Sequence, residues 1–209
     1  MPHIIKLVSI FSLVFLAYVV PAAAQDTEPP ETSDTDILSE EELSLGEPVA
    51  PGGQLGSTYT RDVHGDWQLR CVRSEDGRDP CQLYQLMRDD NGNSVAEITL
   101  FEFPKGQEAV AGATVAVPLG TLLTRQVTIS VDGGSAKRYP FSWCSVQGCY
   151  ARVGFTAADL RGLELGAKAY VTIVPFSSPD KQVRLTLSLT GFTAGFAALK
   201  AVNLANALQ

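Results

Sequence analysis

The stretch Trp67-Gln68-Leu69-Arg70-Cys71 decides the fold class of this chain, since apolar side chains at positions 67, 69 and 71 alternate with polar ones. In an extended strand successive side chains point to opposite faces, so this stretch has one apolar and one polar face. Residues 183–189 repeat the pattern, with Val and three Leu residues alternating with Arg, Thr and Ser. Strands with one buried face predict two sheets that share an apolar interior.

Several further strand-like stretches are separated by turn residues such as Asn91-Gly92. A short helix is expected after Thr156, because Thr156 and Asp159 have the spacing of a capping box, and residues 192–209 are rich in Ala and Leu. We therefore predict an all-β sandwich of about nine strands with one or two short helices. The strands are expected at residues 67–71, 81–88, 94–103, 109–117, 127–131, 137–143, 149–153, 169–173 and 183–189.

The first 24 residues have the three parts of a secretory signal peptide. Lys6 precedes an apolar run at residues 7–20, and Ala22-Ala23-Ala24 provides the small residues that a signal peptidase needs. We expect residues 1–24 to be removed on export. No other apolar run approaches the length of about 20 residues that a spanning helix needs, so no transmembrane segment is predicted in the mature chain.

Residues 25–57 are expected to form an acidic, disordered spacer. Nine acidic side chains and no basic one lie within residues 25–48, and the few aliphatic residues cannot offset an ordering cost of about 1–2 kcal/mol per residue. An alternative is that residues 36–45 bind a partner. The folded domain is predicted at residues 58–209. Because residues 49–209 carry 14 acidic and 15 basic side chains without a long basic cluster, nucleic acid is not an expected partner.

Four cysteines follow the export signal, and an even number of exported cysteines predicts disulfide bonds. They are Cys71, Cys81, Cys144 and Cys149. Three pairings are possible, and Cys71–Cys81 with Cys144–Cys149 is favoured because each pair closes a short loop between neighbouring predicted strands. In the chain-entropy model such a loop contributes roughly 2–3 kcal/mol. The alternative, Cys71–Cys144 with Cys81–Cys149, resembles an inter-sheet bridge and stays open.

Few residues could support catalysis. His3 lies in the signal peptide, which leaves His64 as the one imidazole for general-base or metal chemistry. The spacing of the later cysteine pair, with no basic residue in its loop, favours a structural bridge over a redox-active dithiol. Three carboxylates show no pairing that their spacing establishes: Glu97, Glu102 and Glu108. We therefore predict that the protein is not an enzyme and has no catalytic, cofactor-binding or metal-binding residues.

Six aromatic residues could line a ligand groove, although aromatic side chains on alternating strands are more often part of a core. These residues are Trp67, Phe101, Phe103, Tyr139, Phe141 and Trp143. A core position is the favoured interpretation for all six.

Short motifs spread over residues 65–199 resemble the invasion-associated locus B (IalB) family of Gram-negative bacteria. They are GDWQLRC at 65–71, DPCQLYQ at 79–85, AVAGA at 109–113, VDGG at 131–134, CSVQGC at 144–149 and GFTAGF at 191–196. The resemblance implies an exported, immunoglobulin-like β-sandwich of the bacterial envelope. It assigns no catalytic residue to this chain. The family takes its name from a role in host-cell entry by a pathogen.

These observations predict a non-enzymatic protein of the periplasm, or one associated with the outer membrane, that acts by binding. The expected partner is another envelope protein or a host surface, bound through sheet faces and edge strands. One alternative is a binder of a small ligand or an envelope polymer that uses aromatic residues at one end of the sandwich. A thiol–disulfide factor that acts through Cys144 and Cys149 is the other alternative.

Overall fold

The computed structural model describes residues 44–46, 53–104 and 106–208. The predicted signal peptide at residues 1–24 lies outside the described residues, and so does most of the acidic segment at 25–57. Residues 53–208 belong to the unit 48–209 of the chain. Neither helix in the described ranges is long and apolar enough to cross a membrane.

Two antiparallel sheets contain all the strands of the described residues. The strands are β1 (Thr58–His64), β2 (Trp67–Val72), β3 (Cys81–Arg88), β4 (Ser94–Glu102), β5 (Ala111–Val117), β6 (Val127–Val131), β7 (Lys137–Tyr139), β8 (Phe141–Ser145), β9 (Gly148–Phe155), β10 (Lys168–Ile173) and β11 (Val183–Ser188). The larger sheet has the order β1-β2-β3-β4-β5-β9-β8, and the smaller has the order β11-β10-β6-β7. The mostly β, two-sheet architecture predicted from the alternating sequence is confirmed.

One apolar core lies between the inner faces of the two sheets, where strand β11 packs against β3 and β7 against β9. The alternating residues that predicted the strands provide most of this core, because each strand turns its apolar face inward. Fully buried members from the strands include Trp67, Leu69, Leu83, Ile98, Leu100, Val115, Val127, Val171, Leu185 and Leu187.

Strands β7 and β8 divide a stretch that the sequence pattern predicts as one strand at residues 137–143. Residues 137–139 pair with β6 in the smaller sheet, whereas residues 141–145 pair with β9 in the larger sheet. Pro140 lies between the two strands, and proline lacks the N–H that a continuous ladder needs. The chain therefore changes sheets at Pro140, which adds one strand to the predicted nine.

Strand β1 accounts for the other additional strand. Its residues carry no clean alternation, and most of its side chains are exposed. It pairs with β2 from Thr58 to His64, with an irregularity between Thr60 and Asp62. Because β1 is an edge strand that is held mainly by its backbone pairing, its side chains give little period-two signal.

Helices α1 (Ala157–Leu165) and α2 (Phe192–Ala207) match the two predicted helical segments. The capping box at the start of α1 is confirmed: the Thr156 hydroxyl accepts from the Asp159 N–H, and the Asp159 carboxylate accepts from the Thr156 N–H. Helix α2 packs against β2 and β3 and buries Phe192, Phe196 and Leu199.

The turn between β1 and β2 packs directly on the turn between β11 and α2. The indole N–H of Trp67 donates to the Ser188 carbonyl at 2.9 Å, and the Asp66 N–H donates to the Thr190 carbonyl at 3.2 Å. Gln85 of β3 pairs with both backbone groups of Ser188, at 3.0 and 2.8 Å. These bonds join the edge of the smaller sheet to the larger sheet, and we call this contact the turn junction.

The turn junction requires glycine at residue 191. Gly191 has φ +83°, and a Cβ atom there would lie 2.1 Å from the His64 carbonyl oxygen. Only a residue without a side chain allows this backbone-to-backbone approach. Gly65 has the same restriction, with φ +57° and an added Cβ 2.5 Å from the Thr190 carbonyl oxygen, so packing explains the first glycine of both motifs, at residues 65–71 and 191–196.

Candidate functional site

Both disulfides join neighbouring strands at directly facing positions. Cys71 of β2 is bonded to Cys81 of β3, and Cys144 of β8 is bonded to Cys149 of β9. The first bridge is buried, whereas the second has Cys149 buried and Cys144 exposed. All four cysteines of the chain lie in the described residues, and none of them is free. The pairing is the one that the short loops favour.

The candidate catalytic residues of the sequence are not brought together. His64 ends β1 with its Nε2 atom 3.4 Å from the Asp62 carboxylate. Glu97 and Glu102 lie on opposite faces of β4, because they are an odd number of positions, five, apart along an extended strand. Glu108 is exposed in the loop before β5. Within the described ranges no three His, Cys, Asp or Glu side chains form a group that could hold a metal ion.

Glu97 has a structural partner on the outer face of the larger sheet. The Tyr84 hydroxyl donates to its carboxylate at 2.9 Å, and the Arg70 guanidinium lies 3.3 Å from the centroid of the Tyr84 ring. Burial, together with the hydrogen bond to Glu97, raises the pKa of Tyr84. Tyr84 therefore stays protonated as a hydrogen-bond donor, and the three side chains form a packed cross-strand cluster.

The clearest exposed feature of the larger sheet is an aromatic pair at its β8 edge. Trp143 of β8 lies opposite Tyr150 of β9, and the two rings stack with centroids 5.0 Å apart. The Arg152 guanidinium lies 5.2 Å from the Trp143 ring. Trp143 is 42% exposed, and Val146 in the following turn is 87% exposed. We call Trp143, Val146, Tyr150 and Arg152 the edge patch.

The disulfide between Cys144 and Cys149 holds the edge patch in place. Cys144 directly follows Trp143, and Cys149 directly precedes Tyr150, so the bridge fixes the two strands beside the stacked rings. A shallow cavity of about 350 Å³ continues from Tyr150 across the outer face of β3 to β5. Its floor includes Leu86, Val95 and Ala116. The edge patch and this cavity form a continuous surface of mixed apolar and polar character.

The other aromatic candidates have different positions. Trp67 is fully buried and makes an edge-to-face contact with Phe192, as its predicted core position requires. Four others are half-buried. Tyr139 and Phe141 pack against the core, whereas Phe101 and Phe103 contact each other and do not belong to it. The favoured core interpretation is wrong for Trp143. A register shift in the β8–β9 pairing between Phe141 and Trp143 places Trp143 opposite Tyr150, on the outer face of this edge strand, whereas Phe141 packs against the core. Nothing in the sequence alone distinguishes Trp143 from a buried aromatic residue on an alternating strand.

Comparison with known proteins identifies relatives of this chain. A family model described as invasion associated locus B (IalB) protein matches residues 67–200. Invasion protein B homologs from two strains of Brucella abortus, 2308 and biovar 1 strain 9-941, are each 24% identical over 147 residues, which cover 70% of this chain and 83% of the relative.

A solved structure shares the fold. The crystal structure of invasion associated protein B from Bartonella henselae aligns with a TM-score of 0.59 and 21% identity, and covers 68% of this chain and 95% of that chain. The region that the family model matches, residues 67–200, includes both disulfides, the edge patch and the first half of helix α2. On these grounds the chain belongs to the invasion associated locus B family.

Proposed function

We propose that this protein is exported to the periplasmic side of the cell envelope and acts there by binding another protein, without catalysis. Three observations support export: the signal-like residues 1–24, the two disulfides and the family relationship. The partner is an envelope protein or a host-surface protein. The relatives are named as invasion proteins, which supports a role at the boundary between the bacterium and its surroundings.

The edge patch is the observation that carries the proposal. Trp, Tyr and Arg are the residue types enriched at the energetic centres of protein interfaces. Here one of each lies on one exposed surface, with the Trp143 and Tyr150 rings stacked and the nearby disulfide restraining them. A rigid aromatic pair loses little conformational entropy when a partner covers it, so more of the contact energy appears as affinity.

Strand β8 also offers its backbone to a partner. Within the described residues it pairs only with β9, so one side of the strand has N–H and C=O groups available for an added strand. The opposite edge strand, β1, contains the charged residues Arg61 and Asp62, whereas β8 (Phe141–Ser145) contains no charged residue. Because charges protect an edge strand from pairing, β8 is the more receptive edge.

The bonds that the candidate reactive groups make within the fold support the proposal that the protein is not a catalyst. All four cysteines are joined in disulfides, Glu97 accepts from Tyr84, and Glu102 lies 3.4 Å from the Asn203 amide nitrogen. General acid–base or nucleophilic catalysis needs such groups to converge on a site with a shifted pKa.

A thiol–disulfide reaction would need the Cys144–Cys149 bond to open under mild reductant, and alkylation of the purified protein measures this directly.

Substitution of Trp143 by Ala is expected to remove most of the specific binding. Loss of an interface centre typically costs 2 kcal/mol or more, and we therefore expect recovery of the partner at least about tenfold below that of the wild type. The measurement is an affinity pull-down from crosslinked envelopes of the native host, quantified by mass spectrometry. Phe176→Ala is the matched control, because Phe176 is also an exposed aromatic residue (70%) but lies in the loop after β10.

Circular dichroism confirms that both variants fold before the comparison is made. Equal recovery by wild type and Trp143→Ala would contradict the proposed role of the edge patch. An equal loss with Phe176→Ala would also contradict it, because the binding would then depend on general surface hydrophobicity.

A further inference from the structure

A row of polar side chains crosses the whole outer face of the smaller sheet. Arg138 of β7 lies opposite Thr128 of β6, Thr128 lies opposite Thr172 of β10, and Thr172 lies opposite Arg184 of β11. Both arginines are exposed, while the neighbouring residues Val127 and Val171 are buried, so the row faces away from the core. Three strand spacings of about 4.8 Å place the Arg138 and Arg184 backbones about 14 Å apart.

A third arginine joins this row from the loop before β6. Arg125 ends a single 3-10 turn (Leu123–Arg125), and together with Thr124 and Arg138 it lines a cavity of about 350 Å³. A second cavity of about 560 Å³ continues toward Arg184. The two cavities share Thr128, Arg138, Thr172 and Gln182, so they form one continuous groove. We call this surface the arginine groove.

The arginine groove has no built-in counter-charge. Neither cavity has an Asp or Glu among its lining residues. Within the described residues, Arg125, Arg138 and Arg184 have no carboxylate oxygen within 4 Å, unlike Arg78, which pairs with Asp76. Three guanidinium groups around one concave surface repel each other and create a positive potential that attracts anions.

Two details indicate an organised surface. The Arg184 guanidinium lies 3.5 Å from the centroid of the Tyr170 ring, so the ring holds the charged group while its edge N–H groups stay available. Gln126 in the groove wall has φ +57°, a conformation that residues other than glycine rarely adopt. Backbone strain of this kind concentrates at binding sites.

We infer that the arginine groove binds a sulfated acidic saccharide. The planar guanidinium matches the tetrahedral oxyanions of phosphate and sulfate with two parallel hydrogen bonds. Threonine hydroxyls and the Gln126 and Gln182 amides between the arginines can donate to and accept from sugar hydroxyls. Neither cavity of the groove has an aromatic residue in its lining, and the nearby Tyr170 ring is half-buried and covered by Arg184. The chemistry of the groove therefore favours a polar, multiply charged chain.

This inference goes beyond the proposed function, because the arginine groove lies on the smaller sheet and the edge patch on the larger one. A protein partner at the edge patch and an acidic saccharide in the arginine groove are separate binding events. Either proposal can therefore be disproved without affecting the other.

The test measures binding of a heparin-derived sulfated hexasaccharide to the exported protein by calorimetry at physiological salt. We expect measurable binding of this probe and none of the desulfated hexasaccharide. Arg138→Gln and Arg184→Gln should each weaken binding at least about tenfold. The matched control is Arg61→Gln, which removes the same charge from β1 in the larger sheet and should leave the affinity within about twofold of the wild type.

Three results would overturn the inference. The first is that the sulfated hexasaccharide does not bind. In the second, Arg61→Gln weakens binding as much as Arg138→Gln, which would indicate attraction by net charge alone. The third is equal binding of a single-stranded oligonucleotide with the same number of charges, which would identify a general polyanion surface. Thermal unfolding of each variant verifies that the loss of binding is not a loss of fold.

Discussion

The Gly191→Ala variant is expected to lose about 3 kcal/mol of unfolding free energy. Gly191 has φ +83°, a conformation that is strained for any residue with a side chain, and such strain costs on the order of 1–3 kcal/mol. The added Cβ would also lie 2.1 Å from the His64 carbonyl oxygen. Because this neighbour is backbone and cannot rotate away, the two turns of the junction must separate.

Gly92→Ala is the matched control for Gly191→Ala. Gly92 has φ +84°, almost the same backbone conformation, but nothing lies within 4 Å of the position of its added Cβ. The Gly92→Ala variant should therefore lose only the conformational contribution, about 1 kcal/mol of unfolding free energy. Denaturant unfolding of the oxidised protein measures both variants. Equal losses in the two variants would show that the close contact at the turn junction contributes no stability.

The Trp67→Ala variant is expected to lose about 3–5 kcal/mol of unfolding free energy, or to fail to fold. Trp67 is fully buried, contacts the Phe192 ring and donates to the Ser188 carbonyl at 2.9 Å. Its removal leaves a large cavity and a carbonyl with one partner fewer, between the larger sheet and helix α2.

Two further variants separate the contributions of Trp67. Trp67→Phe keeps most of the apolar volume but removes the hydrogen bond, so we expect a smaller loss of about 1–2 kcal/mol. Trp143→Ala removes the other tryptophan from an exposed position and should cost about 1 kcal/mol or less. Circular dichroism follows unfolding in all three variants, since fluorescence changes when a tryptophan is removed. A loss for Trp67→Ala as small as that for Trp143→Ala would contradict the assigned core position.

The sequence predicts most of the fold because the core strands follow a period of two. Strands β2, β6 and β11 lie within about one residue of their predicted ranges, since each has one buried and one solvated face. The helix after Thr156 is equally predictable from the sequence, because a capping box is a local signal that does not depend on tertiary packing.

Strands β1 and β8 show where the sequence pattern stops being informative. The stretch around Pro140 alternates in polarity throughout, and Pro140 is its one local signal against a single continuous strand. The pairing partners show that its two halves belong to different sheets. Strand β1 is held by backbone pairing with β2, and its exposed side chains leave no period-two signal. Both are edge strands of the larger sheet, where side-chain burial constrains the sequence least.

The two candidate binding surfaces depend on the register of the sheets. Arg125, Arg138 and Arg184 come from three separate segments, and the largest basic group in the sequence that includes any of them is the pair Lys137-Arg138. Only the cross-strand alignment in the smaller sheet brings them around one groove. In the same way, the exposure of Trp143 follows from the register shift between Phe141 and Trp143 on the edge strand β8. Long-range pairing of this kind is not encoded in local composition.

Site-specific photo-crosslinking in the native host tests the central claim, that the β8 edge binds a protein partner. A photoreactive amino acid is placed at Ser142 or at Val146, which are exposed in and next to β8, and at Leu204, which is 63% exposed on helix α2. The account predicts the same discrete crosslinked protein from positions 142 and 146 and none from position 204. Crosslinking of equal strength from all three positions, or crosslinking from position 204 alone, would contradict it.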